Sequence, residues 1–335
     1  MSVDRVQSDK HNVVFMALGG SIEASIDDLG SKRIDQNLLQ GLVKDLEAKL
    51  ESLGSARFVR ICSKPSHDLD FAEIRTLILE LRSVPSDDVA VIFAGTDSLE
   101  EVGFLTALIR SRSNSLIVAT MGDGTRENVT KILDSVAEIL NMPSATNIGT
   151  RILIDDQIHP AFDFLEEKYF AFESRIGQRE SVVEVYHHQD LQLLQSIMSE
   201  QLVTRITESL SQGRPKITVI NSGIYRATSS EAEAIEKCDA VVIAGYGAGN
   251  SSHQLVKNIS RAFDSGKPVI LISTHPSMGV RPISSVKSGS ATLLRAGAWN
   301  GGRLSLRKAL LLVTLLYPLG EVGRVTFESI ARSMD

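Results

Sequence analysis

Cysteine is scarce in this chain: two in 335 residues, Cys62 and Cys238. Both lie in apolar, strand-like surroundings, which argues against a disulfide framework. Long apolar runs are lacking too. The N-terminal "MSVDRVQSDKHN" is polar, and the apolar run behind it is too short for the hydrophobic segment of a secretion signal. "ALLLVTLLY" (309–317) is too short to span a bilayer and reads as a buried helix. The expected location is cytoplasmic. There is no excess of positive charge either: 35 Lys and Arg stand against 41 Asp and Glu, a net charge of −6, and the basic residues are scattered. No nucleic-acid footprint is expected from that balance, and no membrane partner. A small-molecule partner fits better.

What is present is a soluble-protein composition, 43% hydrophobic and 23% charged, over a length comfortable for two domains. Short β-rich runs at 13–18, 56–61, 89–95 and 115–121 alternate with amphipathic stretches at 36–54, 70–83, 98–113 and 126–140. Strands apolar on both faces in that rhythm predict an α/β fold, a mostly parallel sheet covered by helices. "RILIDDQIHPAF" and "SVVEVYHH", around 151–187, predict an antiparallel appendage, followed by one helix over about 190–211. "SQGRPK" (211–216) reads as a linker. The expected division is therefore a large N-terminal domain, 1–210, and a smaller α/β domain, 217–335, with strands at 217–221, 240–245 and 268–274.

Open α/β sheets bind ligands beyond the carboxyl ends of their strands. There the chain reads "GGSIEAS", "CSKPSHD", "AGTDSLEE", "GDGTREN", "GYGAGNSS" and "STHPSMG". All six carry small or hydroxyl residues. Ser21 follows two glycines at a strand end and is either a turn residue or a nucleophile; a serine attacks only if a base activates it. Ser98 with Glu101 reads as a capping box, leaving Thr96 and Asp97 unexplained just ahead of a helix N-terminus. "GYGAGN" (245–250) lacks the third glycine of a dinucleotide fingerprint, Asn250 standing in its place. The seven histidines show no helical metal-ligand spacing, and no G-x-S-x-G elbow occurs. Neither a metal nor a cofactor is expected.

Taken together, "ALGGSIEA", "IFAGTDSLEEVGFL", "VVIAGYGAGN", "GKPVILISTHPSMG" and "LRAGAWNGGRLSLRKALLLVTLL" resemble the bacterial and archaeal L-asparaginase/glutaminase family, in order and spacing and over nearly the whole chain. The resemblance implies a flavodoxin-like small C-terminal domain and side-chain amide hydrolysis through a covalent acyl-enzyme. It also implies a homodimer or dimer of dimers, with each active site completed by the partner's C-terminal domain. Ser21 holds the nucleophile's position, as serine in place of the usual threonine. Thr96 and Asp97 match the second hydroxyl and its acid. Ser63 lies where the family binds the substrate's α-carboxylate, with Lys64 and Gly95 beside the same pocket, and Asn250 matches the residue that reaches across the dimer.

The chain also departs from the family. The stretch that should carry a Thr-Lys-Thr turn reads "HPAFDFLEEKYFAFES" (159–174), and gap placement puts either Lys168 or Glu166 in the lysine's position. The loop after the nucleophile, 22–36, has no tyrosine. Residues 278–296 contain no Asp or Glu to meet a substrate ammonium, although Asp27 or Asp28 stands as a replacement. With Lys64 behind Ser63, the pocket is expected to be more positive, which suits a substrate without a free α-amino group, or with extra negative charge held by Arg281 or Arg295. The function expected is therefore an asparaginase-like amidohydrolase on asparagine or a modified asparagine or glutamine derivative. Recruitment to other acyl-transfer chemistry, and a catalytically silent binding homologue, stand as alternatives.

Overall fold

The structure, a computed structural model, describes residues 11–26, 32–34, 36–47, 53–120, 124–141, 149–154, 157–165, 188–223, 228–282 and 289–334. Contacts divide the chain into two compact units, Met1–Leu191 and Gln192–Asp335.

In the first unit, strand β1 (His11–Gly19) is an inner strand of the main sheet, and its residues are apolar on both faces. Val13, Phe15 and Ala17 enter one core cluster, and Val14, Met16 and Leu18 are buried outside that cluster. Two more short strands, β2 (Ala24–Ile26) and β3 (Lys32–Ile34), form an antiparallel pair. The main sheet adds β4 (Leu53–Lys64), β5 (Val89–Phe93), β6 (Ser115–Ala119), β7 (Thr150–Ile154) and β8 (Gln157–Pro160). Its order is β4-β1-β5-β6-β7-β8, parallel throughout except for the antiparallel β7–β8 pair. This is the parallel sheet with an antiparallel appendage that the alternating pattern predicts. The 181–187 part of the predicted appendage lies outside the described residues.

Helices α1 (Gln36–Glu47) and α4 (Arg126–Asn141) pack together on one core cluster through Leu39, Leu42, Val43 and Leu46, and Val129, Ile132, Leu133 and Val136. Helix α2 (Phe71–Ser83) contacts α3 (Leu99–Ile109). Almost every residue of α3 is buried, as expected for a helix apolar all round. Just beyond its end, Arg110 donates to the carbonyls of Leu81, Val84, Pro85 and Asp88 and to Ser115 Oγ. Burial pushes its guanidinium down to about 10, still protonated near neutrality. These bonds fix the turn that feeds β5.

Local patterning misplaces three boundaries. The predicted helix over 36–54 overruns, because Leu53 and Ala56 pair with β1 as part of β4. The Ser98–Glu101 capping box does not form: Ser98 lies in a 3-10 turn (Thr96–Ser98) and its hydroxyl donates back to the Gly95 carbonyl at 3.4 Å. The reciprocal box sits on α2 instead, between Asp70 and Glu73. The single helix predicted over 190–211 is two, α5 (His188–Ile197) and α6 (Glu200–Ser209), because Ser199 is extended and its hydroxyl caps the Leu202 amide.

The second unit is built on an all-parallel sheet in the order β12-β11-β10-β9: β9 (Ile217–Asn221), β10 (Ala240–Gly245), β11 (Val269–Ser273) and β12 (Trp299–Asn300). Its core gathers Val241, Ile243, Val269 and Leu271 with Leu255, Ile259 and Ala262 of the helix His253–Asp264. Both cysteines are free, one in each unit. Among the described residues no helix is long and apolar enough to cross a membrane.

Candidate active site

Four neighbouring parallel strands of the first unit, β4, β1, β5 and β6, end side by side. Ser63 and Lys64 close β4, Ser21 follows β1, Thr96 and Asp97 follow β5, and Thr120 follows β6. The chain leaves β1 through Gly19 and Gly20, both at positive φ (81° and 89°). A Cβ on Gly20 would lie 2.4 Å from the Gly95 Cα, so the two backbones touch in a way only glycine permits. Ser21 and Thr96 each stand one residue beyond this contact. The Gly20 amide also donates to the Lys64 carbonyl at 3.0 Å, joining the turn that carries Ser21 to the end of β4.

Ser21 opens a one-turn 3-10 helix (Ser21–Glu23), and its hydroxyl donates to the Thr120 carbonyl at 2.9 Å. A main-chain carbonyl orients a hydroxyl but cannot take its proton, so this bond positions Ser21 without activating it. Asp97 is half-exposed and accepts from Ser66 Oγ at 2.8 Å, with His67 Nδ1 at 3.3 Å from the same carboxylate oxygen. Ser66 is pressed against Gly95: a Cβ there would lie 2.5 Å from the Ser66 hydroxyl. Cys62 neighbours Ser63, but burial pushes its thiol up, and the thiol donates to the Leu18 carbonyl at 3.2 Å. That disfavours a thiolate nucleophile.

Lys64 carries less charge into the site than the sequence suggests. Its ammonium lies 2.8 Å from Glu73 and 3.9 Å from Asp70. The bond from Lys64 holds the Glu73 carboxyl down at about 2, and Glu73 raises the lysine in return. Ser63 Oγ accepts from Arg60 Nη1 at 3.0 Å. The same nitrogen reaches Glu23, which is fully buried, at 2.6 Å.

The first unit thus brings Ser21, Ser63, Lys64, Gly95, Thr96 and Asp97 to one sheet end. Asn250 belongs to the second unit, where its main chain bridges to Tyr246 and its side-chain oxygen accepts from the Ser290 amide at 3.3 Å. Arg281 and Arg295 are also in that unit. Lys168, Glu166, Asp27 and Asp28 lie outside the described residues. Among the described residues no group of three or more His, Cys, Asp or Glu gathers as for a metal ion.

Residues 12–174 match the asparaginase N-terminal domain, and residues 219–323 match the glutaminase/asparaginase C-terminal domain. The chain belongs to the asparaginase/glutaminase family. It is 23% identical over 283 residues to the glutaminase-asparaginase of Acinetobacter glutaminasificans, covering 81% of this chain and 85% of that one. A stretch of 89 residues is 36% identical to a probable L-asparaginase of Deinococcus radiodurans, 27% of each protein. Among solved structures, the probable cytoplasmic L-asparaginase from Campylobacter jejuni superposes with a TM-score of 0.69 at 17% identity, over 96% of this chain and 99% of that one. The thermostable L-asparaginase from Thermococcus kodakarensis gives 0.61 at 14% identity, over 97% and 99%. At these identities the likeness establishes a shared fold.

Five groups at this sheet end escape motif reading: Glu23, Arg60, Ser66, His67 and the Thr120 carbonyl. Ser66 and His67 lie in the strand-end stretch "CSKPSHD", and only the contact with Asp97 singles them out. Arg60 leaves a weak signal, a charge inside the strand run "ARFVRI". A main-chain carbonyl leaves none.

Proposed function

We propose that the chain hydrolyses a side-chain amide through an acyl-enzyme on Ser21. The Oγ attacks the amide carbon, the C–N bond breaks, and the nitrogen leaves as ammonia after gaining a proton. Water then cleaves the ester, giving a carboxylic acid and restoring the serine hydroxyl. One observation carries this reading: Ser21 stands at the end of β1, held by Thr120, immediately beyond the glycine contact that brings Thr96 and Asp97 to the same place. Family membership supports the reaction class.

In this reading Thr96 and Asp97 assist the proton transfers, with Lys168 as their basic partner, and Ser63, Lys64 and Gly95 form the substrate's anchor. Asn250 completes the pocket from a partner subunit in a homodimer or dimer of dimers, and the protein works in the cytoplasm. The substrate is asparagine or a modified asparagine or glutamine derivative. The acid-free stretch 278–296 favours one without a free α-amino group, since a buried unpaired ammonium costs several kcal/mol. Lys64 adds little to that preference, being balanced by Glu73 and Asp70.

A second reading, a homologue that binds without turnover, is favoured by the Ser21 proton resting on a carbonyl. Ammonia release separates the two. Wild type and Ser21→Ala are compared on asparagine, glutamine, N-acetylasparagine and a peptide-linked asparagine. Release abolished by the substitution supports hydrolysis. Saturable binding with no release supports the silent homologue.

A further inference from the structure

The pair Glu23–Arg60 joins the two ends of the proposed reaction. Glu23 is the last residue of the turn that begins with Ser21, and its side chain is fully buried. An isolated carboxylate is not tolerated there; it needs a charged, hydrogen-bonded partner. Arg60, within β4, supplies it at 2.6 Å while lying over the Phe58 ring at 5.5 Å from its centroid. The same Nη1 donates to Ser63 Oγ at 3.0 Å. A guanidinium only donates, so Ser63 meets it as an acceptor and must direct its own proton elsewhere. Among the described residues nothing accepts that proton. A hydroxyl polarised by a cation and left to donate into a strand-end site is suited to an anionic oxygen.

We propose that Arg60 and Glu23 are a positioning pair: Arg60 makes Ser63 a one-way donor to a substrate carboxylate, while Glu23 ties that anchor to the turn carrying Ser21. Selectivity for a free carboxylate beside the scissile amide then depends on a residue that need not touch the substrate. The inference rests on the hydrolytic reading above.

The test is kcat/KM for asparagine and N-acetylasparagine, each against its α-methyl ester, which replaces the carboxylate by a neutral group and keeps the amide. Wild type is compared with Arg60→Lys, which keeps a charge on Glu23, and with the double variant Glu23→Gln/Arg60→Gln, which leaves no lone buried charge. Circular dichroism and thermal melting confirm that each variant is folded; if the double variant is not, Arg60→Lys carries the test. The expected result is an acid-over-ester ratio lowered about tenfold in the double variant, mostly through KM of the acid. Arg60→Lys should retain part of the selectivity. Acid and ester rates falling together would overturn the assignment and leave hydrolysis standing. A wild type silent on all four compounds would overturn the hydrolytic reading, and this inference with it.

Discussion

Both sheets end in glycines whose backbones touch, and they use the contact differently. In the first unit Gly20 meets Gly95, so the loops after two different strands are locked together. In the second, a Cβ on Gly245 would lie 2.5 Å from the carbonyl carbon of Gly249, so a single loop closes on itself. The polar groups follow suit. Around Gly20 they mostly bond between separate elements: Ser21 to Thr120, Ser66 to Asp97, and Arg60 to Glu23. Around Gly245 they mostly satisfy local backbone: Tyr246 and Asn250 bridge, and the Ser273 hydroxyl donates to the Gly247 and His275 carbonyls. One device makes a convergent site in the first unit and a rigid turn in the second.

The largest break of this contrast is Ser21→Ala, which should lower ammonia release by about three orders of magnitude or more without moving the circular dichroism spectrum. Gly20→Ala comes next. Its positive φ and the 2.4 Å approach to Gly95 should cost about 2–4 kcal/mol of stability, read as a lowered Tm and denaturant midpoint. Ser66→Ala removes a hydrogen bond to a carboxylate and should lower kcat about tenfold with KM little changed. Asn250→Ala sharpens the comparison from the other side. If that side chain is only a local cap for Ser290, its loss costs about 1 kcal/mol of stability and leaves kcat/KM alone. A shared site predicts a kcat/KM loss of about tenfold.

The smallest effect concerns pH. Lys64 holds Glu73 at about 2, below the unfolded carboxylate value of 4.5. A lowered folded value means stability that is fully present above the unfolded value and is lost as pH falls toward 2. Lys64→Met should therefore lose its deficit against wild type across that window. A side-chain NMR titration should show Glu73 moving up toward the ordinary carboxylate range.

Much of the first unit was legible because its strands are short apolar runs separated by amphipathic helices, and period is what a sequence displays best. The gathering of Ser21, Thr96 and Asp97 at one sheet end was legible through glycines and hydroxyls after strands, where the fold leaves room for a ligand. Pairing was not. The Asp70–Glu73 box and the failed Ser98–Glu101 box have the same spacing, and a 3-10 turn whose hydroxyl bonds backward decides between them. Nor does the charge of Lys64 announce its neutralisation by Glu73, nine residues on and across a turn. Arg60 and Glu23 meet only because β4 lies beside β1.

The central claim, that Ser21 carries the acyl group, is tested most directly by acid-quenching the protein during turnover of its best amide substrate and mapping the adduct by peptide mass spectrometry. The account predicts an acyl ester on Ser21, absent from Ser21→Ala. Turnover with no adduct on that residue, or with an adduct on Thr96 instead, would contradict it.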